Sequence, residues 1–197
     1  MKMPVSSMSA KHRATLAMAC LFVLSAHSAG AGEYANSVRA GYFASPVGPV
    51  ATVEYENMFS RRFSLGARLG YIDYDYEHGD YHETGHGPGA EFLARFYLQG
   101  PGHRGPYISA GIGLWNLSVA WTDSTLFVPS DRDKHTPLLN ANLLLGWKIP
   151  LGSDRVYIDP SIVIGSYFGC TGPQSRCGII LNYGAYVAAG LSVGVNF

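Results

Sequence analysis

The sequence predicts an all-β fold: a transmembrane, eight-stranded, antiparallel up-and-down β-barrel. Apolar residues alternate with small or polar residues along most of the chain, which is the period of a strand rather than of a helix. Eight such runs can be counted, and short turns alternate with longer polar loops between them. No stretch of about 18 consecutive apolar residues offers a transmembrane helix. These observations favour strands as the elements that cross the membrane.

The first 31 residues predict a cleaved secretory signal peptide, and residues 32–197 are assigned to one barrel domain. Three basic residues open the chain, and an apolar run follows at Ala14–Ala26. Ala29-Gly30-Ala31 then offers a small-residue cleavage site, with Ala26-His27-Ser28 as an alternative. The apolar run is too short to span a bilayer as a helix. The chain is therefore expected to be exported.

The charge balance excludes several classes of function. Three of the 14 Lys and Arg residues lie in the signal peptide, which leaves 11 against 14 Asp and Glu, a net charge of −3. A chain with this balance has no basic field to attract nucleic acid. No glycine-rich phosphate loop follows a strand and opens a helix, so nucleotide binding is not supported. No cofactor is predicted.

Two cysteines, Cys170 and Cys177, follow the signal peptide. In an exported chain, an even pair within a Gly- and Pro-rich segment predicts a disulfide that closes a small loop. Cys20 follows the letters LAMA, which resemble a lipoprotein cleavage box. The apolar run continues past Cys20, however, and this disfavours lipidation.

The predicted strands follow one another at short intervals along the chain. Their bounds lie near residues 36–44, 49–57, 62–76, 87–99, 106–121, 136–149, 155–168 and 181–197. The alternation is explicit in the third to eighth runs, which contain FSLGARLGY, EFLARFYLQ, PYISAGIGLW, LLNANLLLGWKI, RVYIDPSIVI and NYGAYVAAGLSVGVNF. One face of each run is almost unbroken apolar surface, and the other face is mostly small or polar.

The connections between the runs alternate in kind. NMFSRR, GPGHRG and PLGSD are short turns, whereas EHGDYHETGH, TDSTLFVPSDRDK and GCTGPQSRC are longer and polar. The first connection, near SPVGP, is short for an outer loop. Short turns at one end and long loops at the other are typical of a transmembrane barrel.

A soluble lipocalin-like cup or a β-sandwich is the alternative fold, in which the apolar faces would point into the core. Two features argue against it. The non-apolar faces carry Gly, Ser and Asn with charges of both signs, which suits a narrow barrel interior better than a solvated exterior. Several strands also exceed the ~9–11 residues that cross a bilayer. Aromatic residues near the strand ends suit interfacial girdles; they are Tyr42, Tyr55, Phe63, Tyr71, Trp147 and Phe168.

The last residues, Val193-Gly194-Val195-Asn196-Phe197, resemble the C-terminal signal read by the bacterial outer-membrane assembly machinery, with Phe197 as its terminal aromatic residue. Together with the signal peptide and the eight strands, the chain resembles the small outer-membrane barrels of the OmpX, OmpW and OmpA-transmembrane type. This resemblance implies a Gram-negative outer membrane. The chain is expected to be a monomer, and its expected partners are outer-membrane lipid and lipopolysaccharide. The resemblance also implies loops outside and turns in the periplasm.

Charged residues on the inward faces predict an ion network inside the barrel. An eight-stranded barrel is just filled by side chains, and buried charges must pair or stay hydrated. The predicted network has four cations and three anions; it comprises Arg39, Glu54, Arg68, Glu91, Arg95, Lys148 and Asp159. Such a network would plug the lumen, and a gated ion path is the alternative.

The sequence is compatible with three functions: a non-enzymatic surface barrel that contributes to envelope integrity or surface interaction, a narrow channel for ions or small solutes, and a lipid A-modifying enzyme. His135 with Ser130 or Asp133 can be imagined as a nucleophile–base set, but the surrounding SDRDKH is more simply a solvated charge run. The chain is therefore predicted not to be an enzyme. The outer loops are acidic, which favours bridging divalent cations; their carboxylates are Asp73, Asp75, Glu77, Asp80, Glu83, Asp123, Asp131 and Asp133.

The stretch His82-Glu83-Thr84-Gly85-His86 matches the H-E-x-x-H pattern of zinc proteases. That pattern works only on a helix, where both histidines share one face. Glycines within and around the stretch, with Pro88 after it, break a helix. The sequence instead predicts a surface loop at a hairpin tip, in which His78, His82 and His86 are weak candidate metal ligands.

Overall fold

Eight strands close into one antiparallel barrel, which confirms the predicted fold class. The computed structural model describes residues 36–45, 48–78, 81–99, 104–123, 134–168 and 185–197. Each strand pairs with its neighbours in sequence, and the last strand pairs with the first. The strands are β1 (Asn36–Ser45), β2 (Gly48–Met58), β3 (Phe63–His78), β4 (Tyr81–Tyr97), β5 (Gly105–Asp123), β6 (Lys134–Leu151), β7 (Ser153–Phe168) and β8 (Ala185–Asn196).

The apolar faces of the strands point outward. Large hydrophobic side chains are exposed on every strand, and Phe92 and Leu69 retain 73% and 66% of their surface. A soluble protein rarely exposes an apolar patch larger than a few hundred Å². A lipocalin-like cup or a sandwich would bury these faces, so the direction of the alternation excludes both. Over the part of the chain that the structure describes, no helix is long and apolar enough to cross a membrane.

The hairpin of β3 and β4 is longer than predicted. β3 continues to His78 and β4 begins at Tyr81 rather than at residue 87, with His78 and Tyr81 in register. The predicted loop EHGDYHETGH is therefore wrong for most of its length. Backbone hydrogen bonds between strands do not require apolar side chains, so the ladder continues after the hydrophobic alternation ends.

The outward face of this hairpin changes character along its length. On β3, Leu65 and Leu69 are followed by the exposed carboxylates of Asp73 and Asp75. On β4, which pairs with β3 in the opposite direction, Phe92 occupies the apolar part and His82 and His86 occupy the polar part. This change marks the upper edge of an apolar belt around the barrel.

The short turns lie at the opposite end of the barrel, together with Asn36 and Phe197. The turn between β6 and β7 contains Gly152, whose φ of 69° falls in the left-handed region that favours glycine. Asn36 and Phe197 exchange backbone hydrogen bonds of 3.0 and 2.9 Å, so the last residue of the chain helps to join β8 to β1.

The belt predicts a position-dependent response to an added charge. Ile112 lies outward in the middle of the apolar part of β5, and Asn116 lies outward just beyond that part. We expect Ile112→Arg to lower the free energy of unfolding in lipid vesicles by about 2–4 kcal/mol, and Asn116→Arg by no more than about 1 kcal/mol. Denaturant unfolding in vesicles measures both values. Equal costs at the two positions would contradict the placement of the belt.

Candidate functional site in the barrel interior

The structure places all seven predicted network residues inside the barrel. Each side chain is no more than 5% exposed. Six of the eight strands contribute them, since only β5 and β8 supply none. Successive side chains of a strand point to opposite sides of the barrel wall. Each charged residue lies on the same side as the small residues of its strand, which is the side that faces the lumen. The charged residues are therefore concentrated in one confined space.

Glu54 of β2 is the first centre of this network. Its carboxylate lies 2.8 Å from the Arg39 guanidinium and 2.9 Å from that of Arg68. A third guanidinium, that of Arg95, lies 2.5 Å from Glu54 Oε1. One buried carboxylate is thus surrounded by cations from β1, β3 and β4.

Glu56 is the second centre, and it is absent from the network that the sequence predicted. Glu56 Oε2 lies 2.6 Å from Lys148 Nζ and 2.7 Å from Arg95 Nη1. The Tyr97 hydroxyl donates to Glu56 Oε1 at 2.7 Å, and the Ser64 hydroxyl donates to the same oxygen. Glu56 lies two residues beyond Glu54 and therefore shares its face of the strand, so the alternation that predicted an interior Glu54 could have identified Glu56 as well.

The network ends in two smaller clusters. On one side, the Arg39 guanidinium pairs with Asp159 and donates to the Tyr107 hydroxyl at 3.0 Å, and that hydroxyl donates to Asp159 at 2.8 Å. On the other side, Arg68 lies 3.1 Å from Glu91. Each anion is therefore met by at least one cation.

With Glu56 included, the network contains four cations and four anions. The cations are Arg39, Arg68, Arg95 and Lys148, and the anions are Glu54, Glu56, Glu91 and Asp159. Burying a charge costs several kcal/mol unless it is paired and hydrogen-bonded. Equal numbers of opposite charges, in contact across the lumen, offset that cost. The strands are consequently joined through the interior as well as through their edges.

Aromatic rings and apolar side chains fill the lumen above the network. Phe43, Trp115 and Tyr186 lie against glycines of neighbouring strands; a Cβ at Gly190 would lie 2.3 Å from the Phe43 ring, and one at Gly89 would lie 2.2 Å from the Trp115 ring. Glycine at these positions lets each ring pack flat against the wall. A cavity of about 30 Å³ remains between the rings and the Arg68–Glu91 pair. That volume suits about one or two water molecules.

The H-E-x-x-H stretch lies in β4, and its residues face alternate sides of the barrel wall. Glu83 points inward, where the Tyr74 hydroxyl donates to it at 2.8 Å, so its predicted place on an outer loop is wrong. His82 and His86 are exposed on the outward face. His82 Nε2 lies 2.7 Å from Asp75 Oδ1, and His86 is in register with Asp73. In this strand, Glu83 lies on one side of the barrel wall and the two histidines lie on the other. In a helical zinc site, the histidines and the glutamate act together at one site.

The predicted surface loop of histidines is thus replaced by two paired strands, with His78 at the end of β3. Within the described ranges, no three His, Cys, Asp or Glu side chains form a group that could hold a metal ion.

Other predicted residues lie outside the described residues. They are the signal peptide at 1–31, Asp80, Ser130, Asp131, Asp133, Cys170 and Cys177. His135 belongs to β6, close to its start at Lys134. The disulfide and the role of Phe197 in assembly stay predictions.

The network predicts that Glu56 contributes far more to the free energy of unfolding than a surface carboxylate does. We expect Glu56→Gln to lower the free energy of unfolding by about 3–5 kcal/mol, because Lys148 and Arg95 lose a buried counter-charge. Asp154→Asn is the matched control, since Asp154 pairs with Arg104 at the surface, and it should cost no more than about 1 kcal/mol.

Denaturant unfolding in detergent micelles measures both variants. The double variant Glu56→Gln with Lys148→Met should recover part of the loss, because it removes both members of a buried pair. A Glu56→Gln cost as small as that of Asp154→Asn would contradict the network's contribution to stability.

The chain is similar to known proteins in its fold but not detectably in its sequence. No protein-family model matches the chain, and no curated protein matches it. Among solved structures, the N-terminal β-barrel domain of Pseudomonas aeruginosa OprF is similar, with a TM-score of 0.57 and 18% sequence identity over 84% of this chain and 100% of that one. Neisserial surface protein A also matches, with a TM-score of 0.44 and 10% identity over 82% of this chain and 94% of that one.

Ail, the attachment invasion locus protein of Yersinia pestis, matches with a TM-score of 0.44 and 9% identity over 84% of this chain and 97% of that one. At these identities the comparison concerns the fold alone, and it rests on the OprF domain. With the closed barrel of eight strands, it confirms the resemblance that the sequence indicated: the chain has the fold of the small eight-stranded outer-membrane β-barrels.

Proposed function

We propose that this chain is a non-enzymatic integral outer-membrane protein whose barrel interior is plugged, and that it contributes to the integrity of the envelope or to interactions at its surface. The observation that carries the proposal is the buried network of four cations and four anions, centred on Glu54 and Glu56. The outward apolar belt supports the membrane location, because lipid is the solvent in which such a surface is stable.

The plug is supported by contacts that cross the lumen in two layers. In the lower layer, Arg95 of β4 reaches both Glu54 and Glu56 of β2, and Lys148 of β6 reaches Glu56 from the other side. In the upper layer, Trp115 and Phe43 pack above the Arg68–Glu91 pair. An ion that entered this space would have to displace paired charges or closely packed rings.

The absence of catalysis is also part of the proposal, and the pairing of the interior groups supports it. A general acid or base must present its proton to a substrate. The carboxylates of Glu54, Glu56 and Asp159 are instead occupied by guanidinium, ammonium or hydroxyl groups of the protein itself. The interior charges therefore act on one another and hold the strands together.

The plug predicts an electrically silent protein. We expect the purified chain, inserted into planar lipid bilayers, to show no discrete single-channel conductance, because the lumen is occupied across its width. Arg95→Ala with Glu56→Ala removes two central members of the network together, and this variant should allow ion flow. Current through the unmodified protein would favour the alternative of a narrow channel over a plugged barrel.

The envelope role predicts a phenotype for a strain that lacks the protein. We expect that strain to admit more of a large apolar dye or antibiotic than its parent does, because a stable barrel that seals the membrane has been lost. Restoring the unmodified gene should reverse the effect, and restoring the Ile112→Arg variant should reverse it less. A dye uptake rate equal to that of the parent would contradict a role in integrity.

A further inference from the structure

The turn between β2 and β3 is closed by hydrogen bonds and displays two arginines. We call residues 59–63 the arginine turn; its tip is Arg61-Arg62. Backbone N–H groups of Phe59 and Ser60 both donate to the Phe63 carbonyl at 3.2 Å, and the Phe63 N–H donates to Ser60 Oγ at 3.1 Å. The Arg62 carbonyl accepts from the Tyr97 N–H at 2.8 Å, which ties the turn to β4.

Aromatic rings extend from this turn up the outer wall of the barrel. The Phe59 and Phe63 centroids are 6.1 Å apart, and the Phe63 and Phe96 centroids are 4.9 Å apart. Phe59 keeps 62% of its surface exposed and Phe63 keeps 45%. The three rings form an aromatic strip, of which Phe96 is half-buried, that begins in the apolar belt and ends beside the two arginines. Aromatic residues flank the apolar band of outer-membrane barrels at both interfaces.

The two guanidiniums of the arginine turn differ in their ion pairing from that of Arg104, which lies near the next turn at the same end of the barrel. Arg104 is paired with Asp154 across the barrel end. Among the residues that the structure describes, Arg61 and Arg62 are exposed and make no ion pair with a carboxylate. They therefore present two positive charges, side by side, at the depth where the aromatic strip ends.

We propose that the arginine turn and the aromatic strip form a binding site for an anionic glycerophospholipid of the inner leaflet. The phosphate is held by Arg61 and Arg62, whose planar guanidiniums match phosphate oxygens in a bidentate geometry. The acyl chains lie along Phe59, Phe63 and Phe96. The inference rests on the proposed function, because it requires this end of the barrel to face the periplasmic leaflet.

The site predicts selectivity by headgroup charge. We expect native mass spectrometry of the full chain in detergent to detect a tightly bound phosphatidylglycerol, and to detect phosphatidylcholine with lower affinity. Arg61→Gln with Arg62→Gln should weaken phosphatidylglycerol binding by about 25-fold, since each basic residue near an anionic surface is worth about fivefold. The double variant Arg61→Lys with Arg62→Lys keeps both positive charges, so it should retain most of the affinity for phosphatidylglycerol that depends on charge.

Arg104→Gln is the matched control, because its guanidinium is at the same end of the barrel but is already paired with Asp154. It should leave the affinity for phosphatidylglycerol unchanged. Equal affinity in the unmodified and Arg61→Gln/Arg62→Gln proteins, an equal loss in Arg104→Gln, or a preference for lipid A over phosphatidylglycerol would each overturn the proposal.

The same preparations separate this inference from the proposed function. Insertion into vesicles, measured by protection from protease, tests whether the chain is a membrane barrel at all. If the chain inserts and the Arg61→Gln/Arg62→Gln variant binds lipid normally, only the lipid site is wrong. If the unmodified chain does not insert, the proposed function is wrong, and the lipid site with it.

Discussion

The structure depends on one electrostatic constraint: two neighbouring carboxylates of β2, Glu54 and Glu56, must compensate the cations that converge on them from other strands. Arg39, Arg68 and Arg95 reach Glu54, and Arg95 and Lys148 reach Glu56. Each ion would be unstable in the interior by itself, because desolvation costs several kcal/mol. Together with Asp159, which pairs with Arg39, and Glu91, which pairs with Arg68, they form a neutral assembly of four cations and four anions. This assembly makes a charged layer possible inside the barrel.

This constraint reverses the usual relation between core and surface. In a soluble domain, apolar side chains fill the core and specificity comes from their packing. Here most of the large apolar side chains face outward. Ion pairs specify one layer of the interior, and aromatic rings with buried aliphatic side chains fill the layer above it. The two layers act differently: the ion network joins strands that are far apart in sequence, and the rings close the remaining space without a charge.

The outward surface has an apolar belt with different polar residues at its two edges. Its apolar belt is bounded above by Asp73, Asp75, His82 and His86 on the long hairpin, and below by the aromatic strip and arginines near the short turns. Both ends are polar, but they have opposite character, acidic above and basic below. The proposed lipid site belongs to the basic end of this asymmetric surface.

The sequence alone determined the number of strands, the alternation of their two faces and seven of the eight network ions. It could do so because the alternation of side chains along a strand is a local property. Only the tertiary structure decided which ions meet: Lys148 and Glu56 are 92 residues apart, and their contact depends on how the barrel closes. It also decided where β3 and β4 end, since backbone pairing continues through polar residues such as His82 that interrupt the hydrophobic pattern. The H-E-x-x-H match is resolved by the same argument, because a strand sends Glu83 inward and its flanking histidines outward.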